Sequence, residues 1–446
     1  MTDIMLFAIL IGISSLLFMN WRKAILLCTV WIILEGAFRK WFMPGHERQI
    51  YFLKDFIIII VYAKFFNTRK VKLIKNSPAQ QAVKSLLVAL FIWVALGMIS
   101  PEFSNPLISL FGLKQFFVFV PLLIVIPRLF EDKQSLFAFI KFYSLIFIPV
   151  GILGVVQFLS SPGSPINRYI AGSDVASIGA HARITGPFSY MSGYGAYLTF
   201  LVALGMGYLG RKMKPRETMV MLSILFFILL NILMTASRGP SLVAIIVIAS
   251  YVLIFSWKTK KTVQKVIVGA ILSGLVVFYF APIYLQGIEV LTSRGTGDVL
   301  SRIRQPFVEV FGAAENVSLT GHGIGATQKG TISLLGGQFR KRYQHFESEP
   351  SRVMFEIGII GCILYYLTKI LVVVVGWKTY RKLKDLELKS IALPMTFLLL
   401  LQVTSQTAFD HIGNFYFWFG AAILFTLRAL DVDRRKDLPP GHKVLR

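Results

Sequence analysis

The sequence predicts an all-α, polytopic integral membrane protein with about 12–13 transmembrane helices and one large loop, and three observations predict it. Apolar runs long enough to cross a hydrocarbon core of ~30 Å recur along the whole chain. Only 15% of the residues are charged against roughly 25% in a soluble domain, and the mean hydropathy is +0.67. The basic residues are gathered in short clusters between the apolar runs, where they orient a chain in a bilayer. The net charge of +25 is therefore read as a membrane signal, with no nucleic-acid partner.

The spans are placed near 4–19, 24–41, 50–66, 85–100, 107–127, 135–159, 189–210, 218–236, 240–256, 266–285, 351–376, 391–409 and 413–430, within one membrane domain, 1–446. The first run is followed, not preceded, by Arg22 and Lys23, the reverse of a secretory signal, so it is expected to stay as a span with its N-terminus outside. Clusters at Arg22-Lys23, 67–75, 211–217, 257–265, 377–389 and 434–436 all fall on one side of this threading. The positive-inside rule makes that side, with the C-terminus, cytoplasmic. The opposite side receives the connections 160–188 and 286–350, and long loops of this kind more often carry function than merely join spans. Within the longer one, Leu300, Ile303, Phe307 and Val310 recur at helical spacing beside Arg302 and Arg304, which predicts a helix on the membrane surface, kinked at Pro306. Cys28 and Cys362 both lie in apolar runs and offer neither a disulfide framework nor a metal site.

Charged residues at span ends are costly unless they pair or face water, and the candidates converge on the loop side. Arg183 in 183-RITGPF-188 and Arg238 in 235-TASRGP-240 each stand among small residues and turn formers with no acid nearby in sequence. Guanidinium forks suit phosphate oxygens, so an anionic ligand is expected there; lipid headgroups are the competing partner. Glu347 and Glu349 stand where a helix is expected to begin, and Pro350 suits its first turn. As capping acids they need no function, but a carboxylate beside a cationic phosphate site is also what a general base requires. Arg352 and Glu356, four residues apart, are expected to form an internal ion pair, as are Glu35 and Arg39, and Lys54-Asp55 reads as an interfacial anchor. His322 sits in the turn 321-GHGIG-325, whose spacing fits neither a Walker loop nor a dinucleotide fingerprint; His181 and His345 are further loop histidines. Asp431-Val432-Asp433 imitates a metal motif but sits in a basic tail, and no metal or cofactor is expected.

In order, the RxTGPF segment at Arg183, the TASRG span end at Arg238, the GxGxG turn at Gly321 and the E-to-ExGxxG stretch from Glu347 to Gly361 resemble the O-antigen ligase and O-antigen polymerase superfamily of bacterial surface-polysaccharide assembly. The resemblance implies metal-independent glycosyl transfer at the periplasmic face of a bacterial inner membrane, from an undecaprenyl-diphosphate-linked oligosaccharide. Flippase and chain-length regulator proteins, with membrane lipids, are the partners it implies. By motif position Arg183 and Arg238 correspond to the diphosphate clamp and Glu347 to the residue acting on the acceptor hydroxyl. Arg302, Arg304, Arg352, Glu349 and His322 are further candidates for substrate binding. Where ligases carry His followed by Asn, this chain has Glu347 followed by Ser348, which favours a polymerase over a ligase. A transporter or flippase of a lipid-linked or anionic solute is the alternative from another class, and the absence of two pseudo-repeated halves in the sequence speaks against it.

Overall fold

Hydrophobic helices cannot leave backbone groups unpaired in lipid, and the chain meets that requirement by being predominantly helical. The computed structural model describes residues 20–68, 77–98, 106–170, 175–178, 181–255, 304, 308–312, 317–328 and 348–431. The spans expected at 4–19 and 266–285 lie outside the described residues, as do Arg302, His345 and Glu347.

Among the described residues the main helices are α1 (Trp21–Ala37), α2 (Glu47–Asn67), α3 (Pro78–Gly97), α4 (Pro106–Phe117), α5 (Leu122–Leu129), α6 (Lys133–Leu159), α7 (Met191–Leu209), α8 (Pro215–Met234), α9 (Arg238–Ser250), α10 (Glu349–Lys382), α11 (Leu386–Leu401) and α12 (His411–Leu430). A π-helical turn, Phe38–Phe42, continues α1, and another, Tyr251–Phe255, continues α9. A two-residue hairpin pairs Ser177–Ile178 with His181–Ala182. Among the described residues five helical stretches are long and apolar enough to cross a membrane: Pro78–Gly97, Lys133–Leu159, Pro215–Met234, Arg238–Phe255 and Glu349–Lys382. The count is six if the bent pair α4–α5 is one span.

Several boundaries differ from the sequence reading: the run 85–100 begins earlier, at Pro78, and three others differ in kind. The run 107–127 is not one helix: α4 and α5 meet at a 41° bend, because Pro121 has no N–H to give to the carbonyl of Phe117. The run 391–409 stays helical only to Leu401, and 402–410 is irregular chain leading to Asp410, which caps α12 by accepting from the backbone N–H of Ile412 at 3.1 Å and Gly413 at 3.3 Å. Burial pushes the Asp410 carboxyl above its ordinary value. At 351–376 the helix runs longer, Glu349–Lys382, but it is interrupted at Gly358, whose φ of 71° is left-handed. Only a glycine takes that conformation without steric cost.

α7 and α12 form the centre. Almost every side chain of both is buried, the pattern of helices apolar on all faces. Hydroxyls are matched in pairs inside: Tyr143 with Tyr416 at 2.8 Å, and Tyr194 donating to Asn231 Oδ1 at 2.8 Å. α7 reaches α11 through Gly207, where a Cβ would come within 2.8 Å of Ile391 Cα, and Ser390 Oγ donates to the Gly207 carbonyl at 2.6 Å. Small residues let backbones approach in this way where lipid supplies no hydrophobic drive between helices.

Polar contacts segregate to two ends. At the basic end Arg22 pairs with Glu131, Lys133 with Asp385 at 2.9 Å and Glu387 at 2.8 Å, and Lys141 with Glu217 at 3.2 Å. The far end collects the segments 183–189, 235–238, 321–328 and the start of α10.

Candidate functional site

The RITGPF segment is fixed from two sides. Lys40, at the end of α1 and fully buried, donates to Thr185 Oγ1 at 2.9 Å and to the Gly186 carbonyl at 2.7 Å. Gln157, near the end of α6, accepts from the backbone N–H of Thr185 at 3.2 Å and Gly186 at 2.8 Å, and donates to the Gly186 carbonyl at 3.2 Å. Arg39 adds a bond to Ser189 Oγ at 3.0 Å.

From this fixed segment Arg183 reaches the TASRG turn. Its Nε donates to the Thr235 carbonyl at 3.1 Å and its Nη2 to the Ala236 carbonyl at 3.2 Å. Ala236 holds a positive φ of 49°, the one non-glycine residue to do so among those described. That geometry costs on the order of 1–3 kcal/mol and persists only where the surroundings impose it. Arg238 follows as the first residue of α9, its cap Ser237 making no side-chain capping bond, and Gly239 beside it borders open space. The two arginines singled out in the sequence thus belong to one constructed turn.

On α10 the 321–328 turn is docked by backbone and carboxylate together. The N–H of His322 donates to the Phe355 carbonyl at 2.9 Å and that of Gly323 to the Glu356 carbonyl at 3.1 Å, while the His322 ring stacks on Phe355 at 4.3 Å. Glu356 accepts from Gly325 N at 3.0 Å, Thr327 N at 2.8 Å and Thr327 Oγ1 at 2.6 Å. Arg352 and Glu356 do not form the direct pair expected of them. Arg352 donates to Thr327 Oγ1 at 3.1 Å and to the Thr327 carbonyl at 2.7 Å, so the two meet through Thr327, and its guanidinium lies 3.7 Å over the Phe409 ring. The physical reason is competition: the carboxylate already has three donors from the docked turn.

Glu349 is also committed. It pairs with Lys369 at 2.8 Å and accepts from Ala408 N at 2.7 Å and Tyr365 Oη at 3.2 Å, both charges being at most 1% exposed. Lys369→Met is expected to cost about 3–5 kcal/mol by stranding that carboxylate, whereas Glu349→Gln with Lys369→Met should recover much of the loss. Thermal unfolding in detergent checks this, with equal Tm for the single and double variants as the contrary result.

A second buried cluster contains the Glu35–Arg39 pair expected from the sequence and buries Lys54 and Asp55, which were read as an interfacial anchor; its connection to Lys114 and His411 was missed. Glu35 pairs with Arg39 at 3.3 Å and Lys54 at 2.9 Å; Asp55 pairs with Lys114 and, at 3.0 Å, with His411 Nε2. Tyr51 sits among the cations, with Lys54 3.7 Å and Lys114 4.3 Å from its ring centre. Beyond the i,i+4 pair Glu35–Arg39 the members come from α2, α4 and α12, so the available signal was each charge lying inside an apolar run, with no spacing to connect those helices.

Arg304 is exposed, and its neighbours 308–312 are helical. His181 is half-buried, its Nδ1 3.0 Å from the Phe158 carbonyl and its ring stacked on Phe158. No group of three or more metal-ligating side chains occurs among the described residues. No protein-family model matches this chain, and no curated protein does either.

Proposed function

We propose that the protein is a membrane glycosyltransferase that extends undecaprenyl-diphosphate-linked oligosaccharide at the periplasmic face of a bacterial inner membrane, as a polymerase of repeat units. The observation that carries this reading is the Arg183–Ala236–Arg238 arrangement. A strained turn is held by one arginine, and a second is the first residue of the helix that follows, ahead of a glycine that borders open space. A helix N-terminus and a guanidinium both favour a phosphate oxygen, which a lipid diphosphate would supply.

In the proposed step the acceptor hydroxyl attacks the anomeric carbon and the bond from that carbon to the diphosphate breaks. Undecaprenyl diphosphate leaves with the bonding electrons, and its growing negative charge is stabilised by Arg238 and the α9 terminus. Arg183 positions that turn. The hydroxyl proton passes to a carboxylate and then to water. Glu349, Glu356, Asp55 and Glu35 are each engaged with protein donors. Those commitments favour Glu347, just ahead of α10, as the base.

Sidedness provides a first test. With Cys28 and Cys362 buried, a cysteine at exposed Thr320 is expected to react with an impermeant thiol reagent in outer-membrane-permeabilised cells. One at Arg216, exposed at the basic end, is expected to react only after lysis. The reverse pattern would place the site in the cytoplasm and remove this reading.

A further inference from the structure

Three cations meet at the Tyr51 ring, near the start of α2. The ring centre lies 3.7 Å from Lys54 Nζ, 4.3 Å from Lys114 Nζ and 5.2 Å from the Arg39 guanidinium. Two carboxylates answer them among the described residues: Glu35 is shared by Arg39 and Lys54, and Asp55 by Lys114 and His411. The His411 imidazole brings no negative charge in either protonation state. Three cations against two carboxylates leave one positive charge in excess, and an uncompensated charge in a buried cluster is costly.

The excess has a way to the surface. Lys54 is fully buried, whereas the side chains of Arg39 and Lys114 are 14% and 15% exposed, so of the three these two can reach a ligand. Among the described residues Arg39 donates only through Nη1, to Glu35 at 3.3 Å and Ser189 Oγ at 3.0 Å, and its Nε is buried without an acceptor. Lys114 leans between Phe52 and Phe111, 4.5 Å and 5.1 Å from their ring centres. Phe52 and Phe56, on one face of α2, are exposed apolar side chains. So are Leu107 and Leu110, two turns and one turn before Lys114 on α4. The mouth of the cluster therefore opens in an apolar strip, the kind of surface that meets lipid.

A ligand that fits this mouth carries one negative charge, offers acceptor oxygens to a guanidinium and an ammonium, and has hydrocarbon attached. A phosphodiester between two acyl chains and an uncharged alcohol has all three properties. A zwitterionic headgroup has the same phosphate but returns an ammonium to the cluster. We propose that an anionic phospholipid binds at the seam of α2 and α4, its phosphodiester held by Arg39 and Lys114 and its acyl chains lying along Phe52, Phe56, Leu107 and Leu110. This does not rest on the glycosyl-transfer reading, because it is read from the charge balance and exposure of the cluster alone.

Native mass spectrometry of the full chain, titrated in detergent with phosphatidylglycerol and phosphatidylethanolamine of matched acyl chains, tests it. The wild type is expected to hold phosphatidylglycerol about tenfold more tightly, the worth of roughly one hydrogen bond to a charged group. Arg39→Gln leaves Glu35 paired with Lys54 and should bring the two affinities within about twofold of each other. Lys114→Gln leaves Asp55 with His411 and should do the same. Arg216→Gln, at an exposed residue of the basic end, should keep the preference. Equal binding of both lipids by the wild type, an undiminished preference in Arg39→Gln, or a preference lost in Arg216→Gln as well would each overturn the site. Displacement of the bound phosphatidylglycerol by equimolar undecaprenyl phosphate would overturn it too, since the pocket would then belong to the polyprenyl carrier. Should Lys114→Gln fail to fold, Arg39→Gln decides alone.

Discussion

Arg238→Lys is expected to lower glycan extension by about 10²–10³-fold with the protein still present at normal level, the loss typical when a preorganised donor to developing negative charge is removed. An ammonium at this position keeps the charge but loses the planar fork that spans two phosphate oxygens. A lysine at the first position of α9 keeps both the helix start and the positive charge, so the variant is expected to fold. Arg183→Lys is expected to be milder, since its Nε and Nη2 contact two backbone carbonyls and a single ammonium can still reach one. Chain-length distribution on a gel, normalised to protein amount, separates the two; full-length product from Arg238→Lys would dismiss the clamp.

Glu347→Gln is expected to reduce turnover by about 10²–10⁴-fold while leaving donor binding intact, because it removes basicity and preserves size and hydrogen bonding. A Glu that merely favours the helix terminus would lose at most ~1 kcal/mol of stability and no activity. The matched control is Glu349→Gln: its carboxylate is buried against Lys369, so its effect should appear as lower thermal stability and not as accumulated, unextended donor. Full activity in Glu347→Gln would remove this residue from the mechanism without touching the clamp.

Helix positions were legible because apolar length is a local property, and the helices from α1 to α12 fall on the runs read from hydropathy, five or six of them long and apolar enough to cross a membrane. Legibility failed where the deciding contact is distant. Pro121 marks the α4–α5 bend in the sequence, but the size of the bend depends on what packs there. The end of α11 at Leu401 carries no proline or glycine, and nothing local distinguishes 402–409 from helix.

The site divides in the same way. Arg183 and Arg238 stood out by lacking sequence-local acids, and Arg183 proves to hold the turn that Arg238 ends. That Arg183 spends its fork on backbone carbonyls could not be read, because carbonyl acceptors leave no mark in a sequence. Arg352 and Glu356 satisfied a spacing rule that the docked Thr327 overrides. Lys40, Gln157 and His411 went unread because their partners are 145, 29 and 356 positions away.

The central claim is that this protein moves glycan from a lipid diphosphate to a sugar hydroxyl, and turnover by the purified chain in nanodiscs tests it most directly. Supplied with synthetic undecaprenyl-diphosphate-linked repeat units and a chelator, it is expected to form longer lipid-linked glycans and release one undecaprenyl diphosphate per unit added, with Arg238→Lys nearly inactive. Movement of the same lipid across the bilayer with no new glycosidic bond and no released undecaprenyl diphosphate would contradict the account and identify a transporter instead.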